Sequence, residues 1–238
     1  MSRLSTLART DVRLSLRDGE QLLLAFVLPI LFLVLFASVD VLPTGTGEPV
    51  DFLAPGILSL ALISTAFVRL AIAVGFDRSF GAIARFATTP LRPAEFVGAK
   101  VLTTVLIFVV QAAVLIGLAA ALGWRPDVHA ALVPALLLGV VAFTALAFAL
   151  VGYVDGLASL AAANALYVVL LLLSGLVFDR AELPSFLEAA TAWLPSTQLV
   201  ELVRATTTGS AGPGWAWLGL VLWTAGAGLL GLRRFRWR

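Results

Sequence analysis

The side chains able to do chemistry are sparse, and the longest charged interruption between two apolar runs is DRSFGAIARFATTPLRPAEFVGAK, from Asp77 to Lys100. It offers carboxylates at Asp77 and Glu95, guanidinium groups at Arg78, Arg85 and Arg92, and the chain's only lysine, Lys100. A phosphate cradle would need G-x-x-x-x-G-K-[ST]; Lys100 follows Gly98-Ala99, lacks the upstream glycine and precedes Val101, which carries no hydroxyl. The chain therefore cannot cradle ATP by itself. Acid–base catalysis fares no better, since the lone histidine, His129, has only Asp127 nearby in a short loop, the ordinary setting of a surface residue. With zero cysteines there is no disulfide framework, no thiol nucleophile and no thiolate metal site, and one histidine cannot make a histidine cluster. No residue is assigned to catalysis, a metal or a cofactor. What the run can do is recognise a partner.

The elements that present these groups follow from the local pattern. A helix starting at Asp77 and turning about 100° per residue puts Phe80, Ile83, Ala84 and Ala87 on one face and Arg78 and Arg85 on the other. Thr88-Thr89-Pro90 stops it, because the residue before a proline is pushed out of the helical region. A second start follows at Pro93-Ala94-Glu95, with proline at a first helical position and an acid in the first turn. A short amphipathic helix thus hangs between two long apolar runs.

Those runs dominate the composition. Of 238 residues, 61% are hydrophobic and 13% charged, and the mean hydropathy is +1.03, far too apolar for a soluble domain. The reading is an all-α membrane protein forming a single transmembrane domain over residues 1–238, with spans near Leu22–Val39, Phe52–Gly75, Val101–Leu122, Ala131–Gly152, Leu157–Phe178 and Trp215–Leu232. Each is close to the roughly 20 residues that cross a bilayer. The residues before the first span, 1–20, form no signal peptide, because arginines alternate with leucines and no cleavage site follows an apolar core. On a wheel Leu4, Leu7, Ala8, Val12 and Leu14 share one side, and Arg3, Arg9, Arg13 and Arg17 the other, which predicts an interfacial helix on membrane lipid.

Charge sets the topology. The arm carries Arg3, Arg9, Arg13 and Arg17, the 77–100 loop Arg78, Arg85, Arg92 and Lys100, and the tail Arg233, Arg234, Arg236 and Arg238. The opposite loops carry only Arg125, Arg180 and Arg204, so both termini and the 77–100 loop are expected in the cytoplasm. Basic residues spread over span ends give no single basic face, so nucleic acid is not an expected partner. Tyr153-Val154-Asp155-Gly156 predicts that the fourth and fifth spans are antiparallel neighbours. In the outer loop, 179–214, Pro184 and Pro195 each predict the start of a short helix, the second ending at Gly209. Trp215, Trp217 and Trp237 suit an interfacial aromatic belt.

Within the spans Arg69 is the one ionisable group, and its expected behaviour is to snorkel to cytoplasmic headgroups. Gln111 and Asn164 are expected to bond between helices. The lack of membrane-depth carboxylates argues against proton- or sodium-coupled transport and against an ion channel.

The chain resembles the membrane-spanning subunit of a type-2 ABC exporter, the permease family of bacterial drug, polysaccharide and lipid exporters, along essentially its whole length. An arginine-rich amphipathic N-terminal helix, Pro55-Gly56 opening the second span, and Ser174-Gly175, Leu183-Pro184, Leu194-Pro195 and Arg204 in the last outer segment all contribute. The most specific match is the loop with Asp77-Arg78, Gly81, Thr89-Pro90-Leu91, Glu95, Gly98 and Lys100. Ser79 and Ala82 depart from the family pattern, where a second acid and a hydroxyl residue are frequent.

The resemblance implies a homodimer, or a heterodimer with a sister permease, bound to two copies of a separate ABC ATP-binding subunit that carries the ATP and magnesium. The 77–100 loop would be the coupling helix, with Asp77, Arg78, Gly81 and Arg85 contacting the ATPase and Thr89, Pro90 and Leu91 shaping its turn. Phe80 and Ile83 would form its hydrophobic knob. By analogy the second and fifth spans flank the cargo path, offering Ser59, Ser64, Thr65, Phe67, Arg69, Asn164, Tyr167 and Ser174. That mostly apolar lining suits a lipophilic or amphiphilic compound, drug or lipid, moved outward. The competing reading is a non-transporting anchor or assembly factor for a cytosolic partner. Alanine, arginine and leucine richness suggests a high-GC bacterial genome.

Overall fold

Hydrocarbon offers no hydrogen bonds, and only a continuous helix satisfies every backbone group within one segment. The structure, a computed structural model, describes residues 9–12, 19–38, 49–87, 92–154, 156–175 and 185–234, and the regular elements among them are helices. They are α1 (Gly19–Ser38), α2 (Pro49–Ser79), α3 (Ala82–Ala87), α4 (Pro93–Ala121), α5 (Leu132–Val151), α6 (Gly156–Leu173), α7 (Ser185–Thr191), α8 (Pro195–Thr207) and α9 (Gly214–Arg234).

Five of them, α2, α4, α5, α6 and α9, are long and apolar enough to cross a bilayer. The sixth expected span coincides with α1, whose apolar stretch runs Phe26–Phe36. Of the expected interfacial helix, only a turn at residues 9–12 and the start of α1 lie within the described residues.

α2 is the axis of the bundle. Its 31 residues extend about 46 Å at 1.5 Å per residue, well beyond the roughly 30 Å of a hydrocarbon core, so its end stands clear of the membrane. It begins at Pro49, so Pro55 and Gly56 lie buried inside it and do not open it as expected. Pro55 lacks the amide that would continue the ladder, and the Ser59 hydroxyl donates to the Pro55 carbonyl at 2.9 Å. At Ser64–Arg69 the winding widens into a π-helical segment. Such segments often mark functional places in α-helices, because the extra residue re-aims the side chains on either side. Here it directs Thr65 to Gln111 of α4, at 2.8 Å, and Ser64 to the hydroxyl of Tyr167 in α6.

α5 and α9 make the closest pair, through small residues that let the backbones approach. Ala216, Gly219, Leu220, Ala227 and Gly231 form the buried edge of α9, with Gly231 against Phe148 of α5 and Gly219 against Gln198 of α8. α6 is different. Only residues 152–155 separate it from α5, which it touches, but it packs mainly on the last turns of α2. Gly156, at φ +52°, turns the chain aside, and Gly75 admits Ser159 so closely that a Cβ there would stand 2.5 Å from the Ser159 hydroxyl. Most of α6 is left exposed, including Leu157, Val168 and Leu172.

The contact makes a rescue prediction. Gly75→Ala forces its methyl onto the Cβ of Ser159, which sits beside the backbone and cannot swing away, so detergent-solubilised protein should lose about 1–3 kcal/mol of stability. Adding Ser159→Gly should restore much of the melting temperature; a double variant no better than Gly75→Ala would show that the helices do not meet there.

Candidate functional site

One end of the bundle is built around the corner where α2 stops. The helix ladder runs unbroken through Asp77 and Arg78, and these residues lie in the last turn of α2, not at the start of a separate helix as the pattern suggested. Nothing before Gly81 can break the ladder. Gly81 does, at φ +70°, the left-handed conformation that closes helix ends; its N–H donates to the Arg78 carbonyl at 3.1 Å. α3 then starts at Ala82 and lasts six residues.

This corner parts the expected knob. Phe80 is 73% exposed and stacks on Phe76 with ring centres 5.8 Å apart, whereas Ile83 is 2% exposed and belongs to the core. Arg85 also lies on the exposed side. Arg78 points back into the bundle, where its Nη1 donates to the carbonyl of Val151. That carbonyl ends α5, the negative pole of a helix, so the guanidinium caps it. Thr89, Pro90 and Leu91 lie outside the described residues. α4 opens as expected at Pro93, and the Arg92 N–H is held by the Glu95 carboxylate at 2.8 Å.

Below the corner sits a charge cluster that sequence reasoning missed. Lys100 Nζ lies 2.6 Å from Asp11 Oδ1 and 3.6 Å from Asp77 Oδ2, and over the Phe96 ring at 5.6 Å. The Lys100 and Asp11 side chains are only 11% and 24% exposed, so water screens the pair less than at an open surface. It ties the N-terminal arm to the ends of α2 and α4. Arg69 is half-buried with its Nε inside the protein and lies within Coulombic reach of Asp11. One signal could have revealed this. On the wheel of the arm Asp11 falls in the middle of the apolar side, between Leu4 and Leu7, where an acid needs a partner.

The residues proposed for a cargo path are not brought onto one surface. Ser59, Thr65, Phe67 and Ser174 are buried, and the Ser174 hydroxyl donates to its own helix at Leu171. Ser64 and Tyr167 pair with each other. Gln111 bonds between helices as expected, whereas Asn164 is exposed on α6 and donates to Leu160 one turn back. Arg204, at the far end of the bundle, lies 4.0 Å over the Phe52 ring and donates to the Gly175 carbonyl at 2.8 Å. It holds α8 to α2 and to the end of α6.

Comparison with known proteins places this architecture. The sequence pattern of the ABC-2 type transporter family matches residues 2–207. The chain belongs to that family. It is accordingly a multi-pass membrane protein and the permease component of an ABC transporter, a kind of subunit that associates with an ABC ATP-binding subunit. No curated protein matches the chain. In this permease, then, the exposed corner at Phe80–Arg85 and the arm latched by Lys100 share the end of the bundle where α2 leaves the hydrocarbon.

The latch is testable by proteolysis. Asp11→Asn removes the anion nearest Lys100, and a partly buried pair of this kind contributes on the order of 1 kcal/mol. Tryptic cleavage at Arg9 should become several-fold faster in the folded permease, with cleavage elsewhere unchanged. An unaltered rate at Arg9 would mean the arm is held by something else.

Proposed function

We propose that this permease is the transmembrane half of an ATP-driven exporter that moves a lipophilic or amphiphilic compound outward across the cytoplasmic membrane. It works as a dimer, with itself or a sister permease, on two copies of a separate ATP-binding subunit, and α1 completes six spans with both termini in the cytoplasm.

The observation that carries the coupling reading is the exposed aromatic corner at the free end of α2. A phenylalanine that is 73% exposed beside basic residues has the make-up of an interface anchor, with an apolar centre and a charged rim. Phe80 and Arg85 are the groups that reach outward. Asp77 and Arg78 contribute by fixing the corner, through Lys100 and through the end of α5. A push on the corner is delivered along α2, which passes through the middle of the bundle and meets every other long helix except α9 closely. An apolar cargo is supported by the interior, where neighbouring side chains already occupy the hydroxyls of Ser59 and Ser64 and the amide of Gln111, or a nearby carbonyl does.

The experiment is co-purification of the tagged permease in mild detergent from its native host, with stoichiometry. An ATP-binding subunit at one per permease is expected. Phe80→Asp should weaken that association by about 30-fold or more and abolish export while the permease remains inserted. Retained ATPase with Phe80→Asp would move the interface elsewhere; absence of any ATPase under several detergents would favour the anchor reading. Ile83→Ser serves as the contrast, since it should lower stability rather than association.

A further inference from the structure

Three helices far apart in sequence end side by side where α2 stops. Arg78, in the last turn of α2, donates to the Val151 carbonyl at the end of α5. Two residues on, the Tyr153 ring carries the guanidinium of Arg234, the last residue of α9, with Cζ 5.2 Å from the ring centre. Small residues bring α5 and α9 this close. Gly231 sits against Phe148, and a Cβ on Gly152 would stand 2.9 Å from the Cβ of Arg234.

The ring holds the guanidinium without neutralising it. A cation over an aromatic face keeps its charge and the N–H donors in its own plane. Among the described residues no carboxylate pairs with Arg233 or Arg234, and no side chain or carbonyl is bonded to the Tyr153 hydroxyl. Tyr153 is 58% exposed and Arg234 is exposed as well, so both groups are presented outward.

What they face is the edge of the bilayer. The 21 residues of α9 extend about 30 Å at 1.5 Å per residue, the thickness of a hydrocarbon core, so Arg234 emerges at headgroup level. Just short of it Leu229, Leu230 and Leu232 are exposed, and Leu230, one turn before Arg234, shares its face of the helix. Any arginine at a helix C-terminus complements the dipole, and Arg233 does so equally. Arg234 has in addition a defined seat, a phenol beside it and a second guanidinium, Arg78, on the same end of α5.

We propose that this corner of α5 and α9 is a binding site for an anionic phospholipid, whose phosphate accepts hydrogen bonds from Arg234 and the Tyr153 hydroxyl while an acyl chain lies along Leu230. A lipid phosphodiester has the matching chemistry. It brings negative charge to an unpaired cation, acceptor oxygens to two donors, and an apolar chain to the exposed leucine below them. A free phosphate ion would meet the first two features and leave the third unused. The inference is independent of the exporter reading, because it needs neither ATPase nor transport.

The test is native mass spectrometry of the purified full chain in uncharged detergent, titrated with phosphatidylglycerol or with phosphatidylcholine carrying the same chains. The first phosphatidylglycerol should bind about tenfold more tightly than phosphatidylcholine. Arg234→Gln should erase that preference. Tyr153→Phe, which keeps the ring under the guanidinium and loses only the hydroxyl, should weaken phosphatidylglycerol about threefold. Arg233→Gln removes the same charge one residue away and should change the affinity about twofold at most. Equal binding of the two lipids would overturn the proposal, as would equal effects of Arg233→Gln and Arg234→Gln, which would mean a diffuse basic surface. Displacement of phosphatidylglycerol by millimolar inorganic phosphate would overturn it too, by showing a plain anion site.

Discussion

In hydrocarbon a backbone or side-chain polar group has no water to fall back on, and the whole arrangement follows from how each such group is answered by protein. α2 passes through the centre and carries the widest departure from regular winding, the π-helical segment at Ser64–Arg69. That segment is where the hydroxyls of Ser64 and Thr65 find Tyr167 and Gln111. The three helices are joined by side chains as well as by packing, and few such bonds suffice because lipid tails compete with neither partner. The hairpin of α7 and α8 obeys the same rule. The carbonyls of its turn are met by donors from Trp223 and Gln198.

At the end of the bundle where α2 stops the rule changes, because charged groups there are partly exposed. Asp77, Asp11 and Lys100 sit together where α2 ends and α4 begins, buried enough that water screens their attraction only in part. Arg78 spends its guanidinium on the last carbonyl of α5. The result is a rigid base from which one aromatic side chain, Phe80, projects. A membrane subunit driven from outside needs such a base, since a soft corner would absorb any push before it reached the spans.

Much of the fold was legible in the chain. Apolar runs of about 20 residues can do little else than cross a bilayer as helices. Pro93 and Pro195 began helices as expected because proline's fixed φ suits a first turn, and Gly209 closed α8 at φ +79°. The 77–100 loop was singled out by residue types and spacing, which depend on local order alone. Its helix boundary was misplaced because periodicity cannot see that α2 arrives already wound, and Phe80 and Ile83, three residues apart, were separated by one left-handed glycine between them.

The sequence by itself therefore determined that this is a helical membrane protein, where its long helices lie, and which loop carries the charge, since each depends on composition or on neighbours within a few residues. Tertiary structure alone decided that Asp11 meets Lys100 across 89 positions and that α6 lies against α2 more than against α5. Those outcomes rest on which small residues allow two backbones to approach, as Gly75 does for Ser159 and Gly219 for Gln198. Pairing of that kind is a property of distance in space, and linear order does not encode it.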